Sequence, residues 1–275
     1  MKGNFKKIID FVGDRYAMDI SMYEESFLEK AIGNRLTVSS RKTLDEYLSL
    51  LSEQPEEAVC LVTSLKNSYS QFFRNPHTFA LLEQIIFPIL FREKGNSQGS
   101  GIRIWSAGCS AGQESYSLAI LADTYLQTHQ LTQSFRIFAS DSSVKEIELA
   151  RHGVYDFNSI QNTRLFHLNN NFSKTGESYL INDRLKKNVD FSVYDLLDSG
   201  SAAPPASIYG GFDMIVCSNV LYYYKPDYQK TILNKFSTTL NEGGFLITGE
   251  AETAIVKSVK GYRQFTSLAP VFVKV

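Results

Sequence analysis

The sequence predicts two regions of different fold class, an all-helical N-terminal domain and an α/β domain built on a parallel sheet. Residues 5 to about 92 place apolar side chains at helical spacing and carry almost no strand signal. From residue 102 onward, short apolar runs alternate with amphipathic helical segments, which is the pattern of a parallel sheet with helices on both faces. The stretch "GNSQGSG" between them is typical of a linker or surface loop. We therefore expect a helical domain over 1–92 and an α/β domain over 93–275.

Local signals predict where two helices of the first region begin. Thr43 predicts the N-cap of a helix, and Glu46 three residues later is expected to complete a capping box. Pro55 is expected at the first position of the next helix, "PEEAVCLVTSLKN", because its missing N–H would have no partner there in any case.

The α/β region contains three expected strand–helix units and two further strands. The units are "IRIWSA" with "ESYSLAILADTYLQ", "RIFASD" with "SVKEIELARHG", and "FDMIVCSN" with "YQKTILNKFSTTL". "GGFLITGE" and the closing "TSLAPVFVKV" are each expected to form a strand. Residues 172 to 193 predict a small antiparallel β-subdomain between the second and third units.

Composition and charge argue against several classes of function. The 275 residues include 28 basic and 29 acidic side chains, and the resulting net charge of −1 gives no electrostatic reason to expect a nucleic-acid partner. Apolar runs such as "FALLEQIIFPILF" are too short and too polar to span a bilayer, and the N-terminus does not resemble a signal peptide. We expect a cytoplasmic monomer without direct membrane insertion.

Cysteine and histidine usage indicates neither disulfides nor a metal site. The three cysteines lie far apart, as in a reduced intracellular protein. The four histidines are equally scattered, and none has metal-ligand spacing to a cysteine or to another histidine. We therefore expect no bound metal.

The loop "SAGCSAGQES" follows the first predicted strand, at the edge where open α/β sheets bind their ligands. Gly108 and Gly112 would let the backbone approach a ligand, and Ala107 keeps the surroundings small. The spacing is not G-x-G-x-x-G and lacks a P-loop ending, so phosphate binding is poorly supported. A tight turn with no ligand is the alternative.

Glu114 lies at the start of the helix that follows this loop. A carboxylate there would repel an anionic ligand and favour a cationic one. S-adenosylmethionine fits this charge, since it carries an ammonium and a sulfonium. The alternative is a carboxylate that only stabilises the helix dipole.

Asp141 and Asn219 end the next two strands at the same predicted edge. Asp141 is placed to accept hydrogen bonds from both ribose hydroxyls, and the alternative is an N-cap for the helix that begins near Ser143. Asn219 and Val220 are followed by three tyrosines, which taken alone indicate packing more often than chemistry.

In these motifs and their order, the sequence resembles the CheR-type chemotaxis receptor methyltransferases, which methylate glutamate side chains of bacterial chemoreceptors. The likeness runs through "SQFFRNPHTF", "IRIWSAGCSAGQESYSLAI", "FASD", "ARHGVY", "VDFSVYDLL", "FDMIVCSNVLYYY" and "LNEGGFLITGEAE". It implies a class I S-adenosylmethionine-dependent methyltransferase domain, which is Rossmann-like, with a small β-subdomain and a preceding all-helical domain. The implied reaction forms glutamate methyl esters and releases S-adenosylhomocysteine.

The resemblance also implies which residues form the site. The cofactor-binding positions are Ser68, Ser70, Arg74, Ala107, Gly108, Glu114, Asp141, Asp195, Leu196, Asn219 and Val220. Of these, Glu114 would hold the cofactor's amino group and Asp141 its ribose, and the last two pairs would flank the adenine. Arg74 and Tyr223 match positions near the transferring methyl group and are the catalytic candidates.

Several positions depart from the family's usual residues. They are Ser68, Ser70, Gln113, Ser115, Asp195, Ser218 and the segment "EAE" at 250–252. Since Glu114, Asp141 and Asn219 match the family pattern, we expect cofactor binding to be intact. Ser218 stands where arginine is usual and removes a charge near the mouth of the site, which leaves acceptor recognition open.

The implied acceptor is the cytoplasmic helical bundle of a chemoreceptor. Lys30, Arg35, Arg41 and Lys42 cluster in the helical domain and would meet an acidic bundle; a solvated face is the alternative. In some family members the β-subdomain grips the C-terminal tail of the receptor. The subdomain is short here, so we expect no dependence on such a tail.

Two other functions stay open. One is a methyltransferase of the same fold with a different protein acceptor, suggested by Ser68 and Ser218. The other is a non-catalytic module that binds S-adenosylmethionine or S-adenosylhomocysteine as a signal. A nicotinamide-dependent oxidoreductase is disfavoured by the loop spacing and by Glu114.

Overall fold

The computed structural model describes residues 2–66, 70–95, 101–207 and 211–275. The chain divides into two compact units. The first consists of Met1–Ser68 together with Tyr222–Gln229, and the second of Tyr69–Leu221 together with Lys230–Val275.

The first unit is helical, as predicted. Its helices are α1 (Lys2–Tyr16), α2 (Glu25–Val38), α3 (Leu44–Glu53) and α4 (Pro55–Leu65). They enclose an apolar core to which every one of them contributes; its largest fully buried members are Tyr47, Ile8, Ile20 and Leu28. Burial of this apolar face supplies most of the stability of such short helices.

The two predicted helix starts are confirmed. The Thr43 hydroxyl accepts the backbone N–H of Glu46 at 3.2 Å and caps α3. The Glu46 carboxylate accepts the backbone N–H of Lys42 at 2.8 Å, one residue before the position that a capping box would use. Pro55 is the first residue of α4.

Arg35, predicted to belong to a docking cluster, is half-buried and paired with a carboxylate of the first unit. Its guanidinium contacts the Glu57 carboxylate at 2.8 and 2.5 Å, and the Tyr47 hydroxyl donates to the same carboxylate at 2.7 Å. Only 18% of the Arg35 side chain is exposed, whereas Lys30, Arg41 and Lys42 are exposed. The prediction that Arg35 meets a partner is therefore wrong, because its charge is used inside the fold.

The second unit contains the strands. In chain order they are β1 (Ile102–Ala107), β2 (Phe135–Asp141), β3 (Val154–Tyr155), β4 (Phe172–Thr175), β5 (Ser178–Ile181), β6 (Val189–Val193), β7 (Phe212–Cys217), β8 (Leu240–Thr248), β9 (Tyr262–Gln264) and β10 (Val271–Lys274). Within the described ranges they form a seven-stranded sheet of order β6-β2-β1-β7-β8-β10-β9 and a three-stranded sheet of order β3-β5-β4. Strands β6, β2, β1, β7 and β8 run parallel, and β9 and β10 add an antiparallel edge.

The helices that follow the first unit complete the list of elements. They are α5 (Pro76–Leu81), a π-helical turn (Leu82–Ile86), α6 (Phe87–Gly95), α7 (Gln113–Thr128), α8 (Val144–His152), α9 (Phe157–Ile160), α10 (Leu165–Asn171), α11 (Asp183–Lys186), α12 (Pro226–Thr239), α13 (Thr253–Lys257) and 3-10 turns at Pro205–Ser207, Leu221–Tyr223 and Glu250–Glu252. The predicted alternation of strands and helices is thus present, with helix ends shifted by a few residues.

Two predictions about segment limits differ from the structure. Phe72, Phe87 and Phe91 share one buried core with the central strands, so the second unit begins earlier than the boundary predicted after residue 92. The antiparallel excursion predicted to reach residue 193 ends earlier, because β6 pairs in parallel with β2 at the edge of the large sheet. The small sheet instead recruits β3, which pairs antiparallel with β5.

Candidate cofactor site at the sheet edge

The candidate site lies at the carboxyl ends of β1, β2 and β7. β1 is the central strand of the three, with β2 on one side and β7 on the other. From β1 the chain continues to β2 and β6 on one side and then returns to β7 and β8 on the other, and ligands of open α/β sheets bind in the crevice at such a switch point.

The loop after β1 is fastened to β2 and shaped by positive φ angles. The backbone N–H groups of Gly108 and Cys109 both donate to the Ser140 carbonyl, at 2.8 and 2.9 Å. Gly108 and Gly112 have φ of +72° and +89°, a region that favours glycine. A Cβ on Gly112 would lie 2.9 Å from the Ala150 Cβ, so this glycine allows close packing of protein and does not open the backbone to a ligand.

Gly108 brings the loop against the segment that follows β7. A Cβ at this position would lie 2.6 Å from Cγ2 of Val220. The cofactor loop and the pair Asn219–Val220, predicted separately from the sequence, are therefore neighbours in the fold.

Asp141 ends β2 and organises the loops on both sides of it. Its Oδ2 accepts the backbone N–H of Ser110 and its Oδ1 that of Ser143, each at 2.9 Å. The N-cap of α8 is Ser143, whose hydroxyl accepts the Glu146 N–H, so the alternative that Asp141 is the N-cap is wrong. A carboxylate accepts about four hydrogen bonds, so these contacts are compatible with ribose binding.

Glu114 is the second residue of α7 and is half-buried. Ser106 donates to its Oε1 at 2.9 Å, and the Ser218 hydroxyl lies near this carboxylate. Burial raises the pKa of Glu114 to about 7, and the nearby Glu252 adds to the rise, while the two serine hydroxyls and the charge of Arg74 oppose it. A carboxyl that only served the helix dipole would gain nothing from this burial, since dehydration disfavours its charged form.

Glu252 is a buried carboxylate to which sequence reasoning gave no role. Its two oxygens accept the backbone N–H groups of Asn219 at 3.0 Å, Val220 at 2.7 Å, Leu221 at 2.7 Å and Gly249 at 2.6 Å. Burial raises its pKa, and these four bonds act in the opposite direction. The position of Glu252 in "EAE", three residues after Gly249, was the signal that could have indicated an anchor.

The loop anchored by Glu252 has an uncommon backbone conformation. Asn219 has φ of +62°, a value that non-glycine residues adopt mainly when the side chain is Asn or Asp. The Glu252 bonds hold this turn in place, and they fix the position of Val220 against the loop after β1.

Asp195 and Leu196 follow β6 at the same end of the sheet. Leu196 is buried and Asp195 is exposed, with its Oδ1 accepting the Leu197 N–H at 2.9 Å. The Tyr194 N–H donates to the Asp141 carbonyl at 2.9 Å, which ties this segment to the end of β2. The proposed contact of this pair with adenine stays a prediction.

Arg74 lies in a strained segment before α5. Phe73 and Asn75 have φ of +53° and +63°, and conformations of this kind cluster at functional sites. The Phe73 N–H is held by the Ser117 hydroxyl of α7 at 3.0 Å. Arg74 is half-buried, and its charge acts on Glu114. Ser70 is half-buried before this segment, and Ser68 lies outside the described residues.

Tyr223 belongs to the first unit, where it packs against aromatic rings. Its ring lies 4.5 Å from that of Phe27, its hydroxyl accepts the Tyr222 hydroxyl at 3.2 Å, and its carbonyl accepts the Glu24 N–H at 2.8 Å. These contacts account for Tyr223 as a packing residue of this unit. Its predicted place near the transferring methyl stays a prediction.

The two buried cysteines of the second unit provide no nucleophile. Burial raises the pKa of both Cys109 and Cys217, and neighbouring carboxylates raise it further. A thiol is nucleophilic as the thiolate, so these two side chains are inert at neutral pH.

The sheet order is that of a class I S-adenosylmethionine-dependent methyltransferase. Residues 68–269 match the family described as "CheR methyltransferase, SAM binding domain", and residues 3–65 match "CheR methyltransferase, all-alpha domain". The chain therefore belongs to the CheR methyltransferase family, as its sequence predicted, and its cofactor is S-adenosylmethionine.

The chain is also similar to individual proteins. The "Chemotaxis protein methyltransferase" of Borreliella burgdorferi is 28% identical over 258 residues, which cover 92% of this chain and 88% of the relative. The "Probable biofilm formation methyltransferase WspC" of Pseudomonas aeruginosa is 28% identical over 257 residues, which cover 93% of this chain but only 58% of that relative. The N-methyltransferase NodS of Bradyrhizobium japonicum, solved with S-adenosylhomocysteine, has 17% identity and a TM-score of 0.40 over 74% of this chain and 88% of NodS.

Among the described residues, no helix combines the length and the apolar character needed to cross a bilayer.

Proposed function

We propose that the protein methylates glutamate side chains of bacterial chemoreceptors, forming methyl esters and releasing S-adenosylhomocysteine. Support comes from its family membership and from the chemotaxis methyltransferase of Borreliella burgdorferi, most of whose length this chain spans. On this proposal the protein works in the cytoplasm as a monomer, and its acceptor is the cytoplasmic helical bundle of the receptor.

The observation that carries the proposal is the placement of two carboxylates at the switch point of the sheet. Glu114 lies in α7, shortly after β1, and Asp141 ends β2. These two strands are hydrogen-bonded neighbours. The residues present fit the cofactor: a carboxylate in a partly dehydrated site suits an ammonium, and a carboxylate at the end of the second strand suits ribose hydroxyls. The bound cofactor supplies a methyl group on a positively charged sulfur.

The acceptor needs no general base. A solvated glutamate has a pKa of about 4.3 and is already ionised at neutral pH. What the enzyme must provide is alignment of the carboxylate with the methyl donor, and alignment of this kind lowers reaction barriers by about 7–11 kcal/mol. The raised pKa of the buried Cys109 and Cys217 thiols agrees with a reaction that uses no thiolate of the enzyme.

Arg74 and Tyr223 are the residues to which we assign the acceptor side of the reaction. The positive charge of Arg74, half-buried and acting on Glu114, suits the steering of an incoming carboxylate. Tyr223 would orient the donor or the acceptor through its hydroxyl. Neither residue is proposed to take up a proton.

The helical unit is the proposed docking surface for the acceptor bundle. Lys30, Arg41 and Lys42 are exposed and suit an acidic partner, whereas Arg35 is occupied by Glu57. The small sheet is formed by strands of two to four residues, and we propose that activity does not depend on the C-terminal tail of the receptor.

The test is methyl transfer from labelled S-adenosylmethionine to a purified cytoplasmic receptor fragment. We expect label in the fragment that is released as methanol by base, as an ester requires, and equal labelling of full-length and tail-truncated fragments. A fragment whose methyl-accepting glutamates are replaced by alanine serves as the control. Cofactor binding with no base-labile label in any receptor fragment would support a non-catalytic binding module instead.

A second acceptor class has its own support. WspC is named as a biofilm formation methyltransferase, and Ser218 stands beside Asn219 where the family resemblance implies an arginine. If the label appears in a different protein of the same cell extract and not in receptor fragments, the enzyme is a methyltransferase with another protein acceptor.

A further inference from the structure

A chain of hydroxyl groups ends at the carboxylate of Glu114. Ser115 Oγ donates to Ser106 Oγ at 3.0 Å, and Ser106 Oγ donates to Glu114 Oε1 at 2.9 Å. Both serines are fully buried, one in β1 and the other in α7. The hydroxyl of Ser218, the residue directly after β7, lies near the same carboxylate and lowers its pKa.

The secondary structure does not explain these hydroxyls. Alanine has a higher helix propensity than serine, so a fully buried serine at position 115 gains nothing for α7. Burying a hydroxyl is unfavourable unless it is hydrogen-bonded, and here the bonds lead to one charged group. Successive bonds of this kind polarise and strengthen one another, and bonds to an ionised acceptor are the strongest. We therefore attribute the burial of these two hydroxyls to the hydrogen bonds that connect them to the Glu114 carboxylate.

Burial and other nearby groups also shift the pKa of Glu114. Burial raises its pKa to about 7, and Glu252 acts in the same direction, while Arg74 acts in the opposite direction. The thiols of Cys109 and Cys217 also lie within electrostatic range, and their own raised pKa keeps them uncharged. Near neutral pH, Glu114 is thus divided between its protonated and ionised forms. Only the ionised form attracts an ammonium.

We propose that Ser115, acting through Ser106, is a positioning residue for the amino group of S-adenosylmethionine, because this chain of hydroxyls aims the Glu114 carboxylate into the site. The Ser218 hydroxyl, near the same carboxylate, acts on its pKa in the same direction as Ser106. This inference rests on the proposed role of Glu114 as the residue that binds that amino group.

The experiment compares two ligands that differ in the amino-acid part alone. S-adenosylhomocysteine carries the ammonium, and 5′-methylthioadenosine lacks the whole amino-acid moiety. Calorimetric titrations at pH 7 and pH 8.5 would use the wild type, Ser218→Ala, Ser218→Thr, Ser115→Ala and Glu114→Gln. Ser207→Ala is the control, since Ser207 is buried, as Ser115 is, and its hydroxyl donates to the Pro204 carbonyl. Comparing proteins at one pH cancels the ionisation of the ligand itself.

We expect Ser218→Ala to bind S-adenosylhomocysteine about fivefold more weakly than wild type at pH 7 and within about twofold of it at pH 8.5. The sign follows from the loss of a donor that lowers the pKa of Glu114, since more of the carboxyl is then protonated at pH 7. Ser115→Ala should change in the same direction by a smaller factor, and Ser218→Thr should restore wild-type affinity. Binding of 5′-methylthioadenosine should be unchanged throughout, which also shows that each variant is folded.

Three outcomes overturn the inference: wild-type affinity of both serine variants at pH 7, a loss that is the same at both pH values, or an equal loss for 5′-methylthioadenosine. Glu114→Gln separates this failure from a failure of the proposed function. If Glu114→Gln weakens S-adenosylhomocysteine binding and the serine variants do not, only the hydroxyl chain is refuted. If Glu114→Gln itself binds like wild type, Glu114 does not hold the amino group.

Discussion

Glu252 Oε1 lies 2.7 Å from the backbone nitrogen of Val220, and this bond joins the turn after β8 to the loop after β7. Because Val220 in turn lies against Gly108, one buried carboxylate sets the spacing between two loops that bound the candidate site. The sequence analysis selected the pair Asn219–Val220 but assigned no role to Glu252.

Replacing Glu252 by alanine should destabilise the protein and weaken cofactor binding together. Four backbone N–H groups lose their acceptor, and each unsatisfied donor costs about 1–3 kcal/mol. We expect a loss of at least about 3 kcal/mol in urea unfolding and weaker binding of S-adenosylhomocysteine. Glu250→Ala, at an exposed neighbouring position, should stay within about 0.5 kcal/mol of wild type. Equal stability of the two variants would contradict the anchoring role.

Replacing Gly108 by alanine should impair the site beyond the strain of its positive φ. Gly176 is the matched control, since it has a similar φ of +60° but no atom within 4 Å of an added Cβ, whereas Gly108 would meet Val220 at 2.6 Å. Gly176→Ala should cost about 1–2 kcal/mol with unchanged binding of S-adenosylhomocysteine. Gly108→Ala should be less stable and bind that ligand more weakly, as measured by thermal unfolding and calorimetry. Equal behaviour of both variants is the result that refutes the close approach.

The stability of the cofactor-free protein should depend on pH through the ionisation of Glu114. Its pKa is raised to about 7 in the folded protein from about 4.3 in the unfolded chain, so the folded state binds this proton more tightly. The contribution to stability is therefore present at low pH and is lost as pH rises through about 7.

Glu114→Gln removes this dependence. The melting temperature of Glu114→Gln relative to that of wild type should rise from pH 5 to pH 8. Each kcal/mol of relative stability corresponds to about 2–4 °C. With S-adenosylhomocysteine added, wild type should melt at a higher temperature than Glu114→Gln, because wild type binds this ligand better. A difference in melting temperature that does not change with pH is incompatible with a raised pKa.

Arg35 should behave as a stabilising residue of the first unit. Removing it leaves the buried Glu57 charge without its cation, and breaking a buried pair in this way costs about 3–5 kcal/mol when the burial is complete. Since 18% of Arg35 is exposed, we expect about 2–3 kcal/mol for Arg35→Met in urea unfolding. Lys30→Ala, on the exposed face of the same helix, should unfold like wild type. A variant Arg35→Met of wild-type stability with impaired receptor methylation would restore Arg35 to the docking surface.

The sequence was most informative where one local rule decides the outcome. Thr43 and Pro55 begin helices because capping and the fixed φ of proline act within a few residues. The loop after β1 and the carboxylates Glu114 and Asp141 were predictable because every parallel strand delivers its carboxyl end to the same edge.

The remaining features depend on contacts between distant residues, which composition and spacing do not encode. Strand β6 looked like part of an antiparallel subdomain, but its pairing with β2 decides its sheet. Strand β9 was missed, since three residues carry too little periodicity. In sequence Arg35 resembles a surface cation, and only the fold places it opposite Glu57. No local pattern pairs Glu252 with a loop about thirty residues earlier.

The most direct test of the central claim is a crystal structure of the protein with S-adenosylhomocysteine. We predict the amino group of the ligand within hydrogen-bonding distance of the Glu114 carboxylate, the ribose hydroxyls on Asp141, and the adenine between the Asp195–Leu196 and Asn219–Val220 segments. A ligand bound elsewhere, with the cleft at the carboxyl ends of β1 and β2 empty and Glu114 turned to solvent, would contradict it.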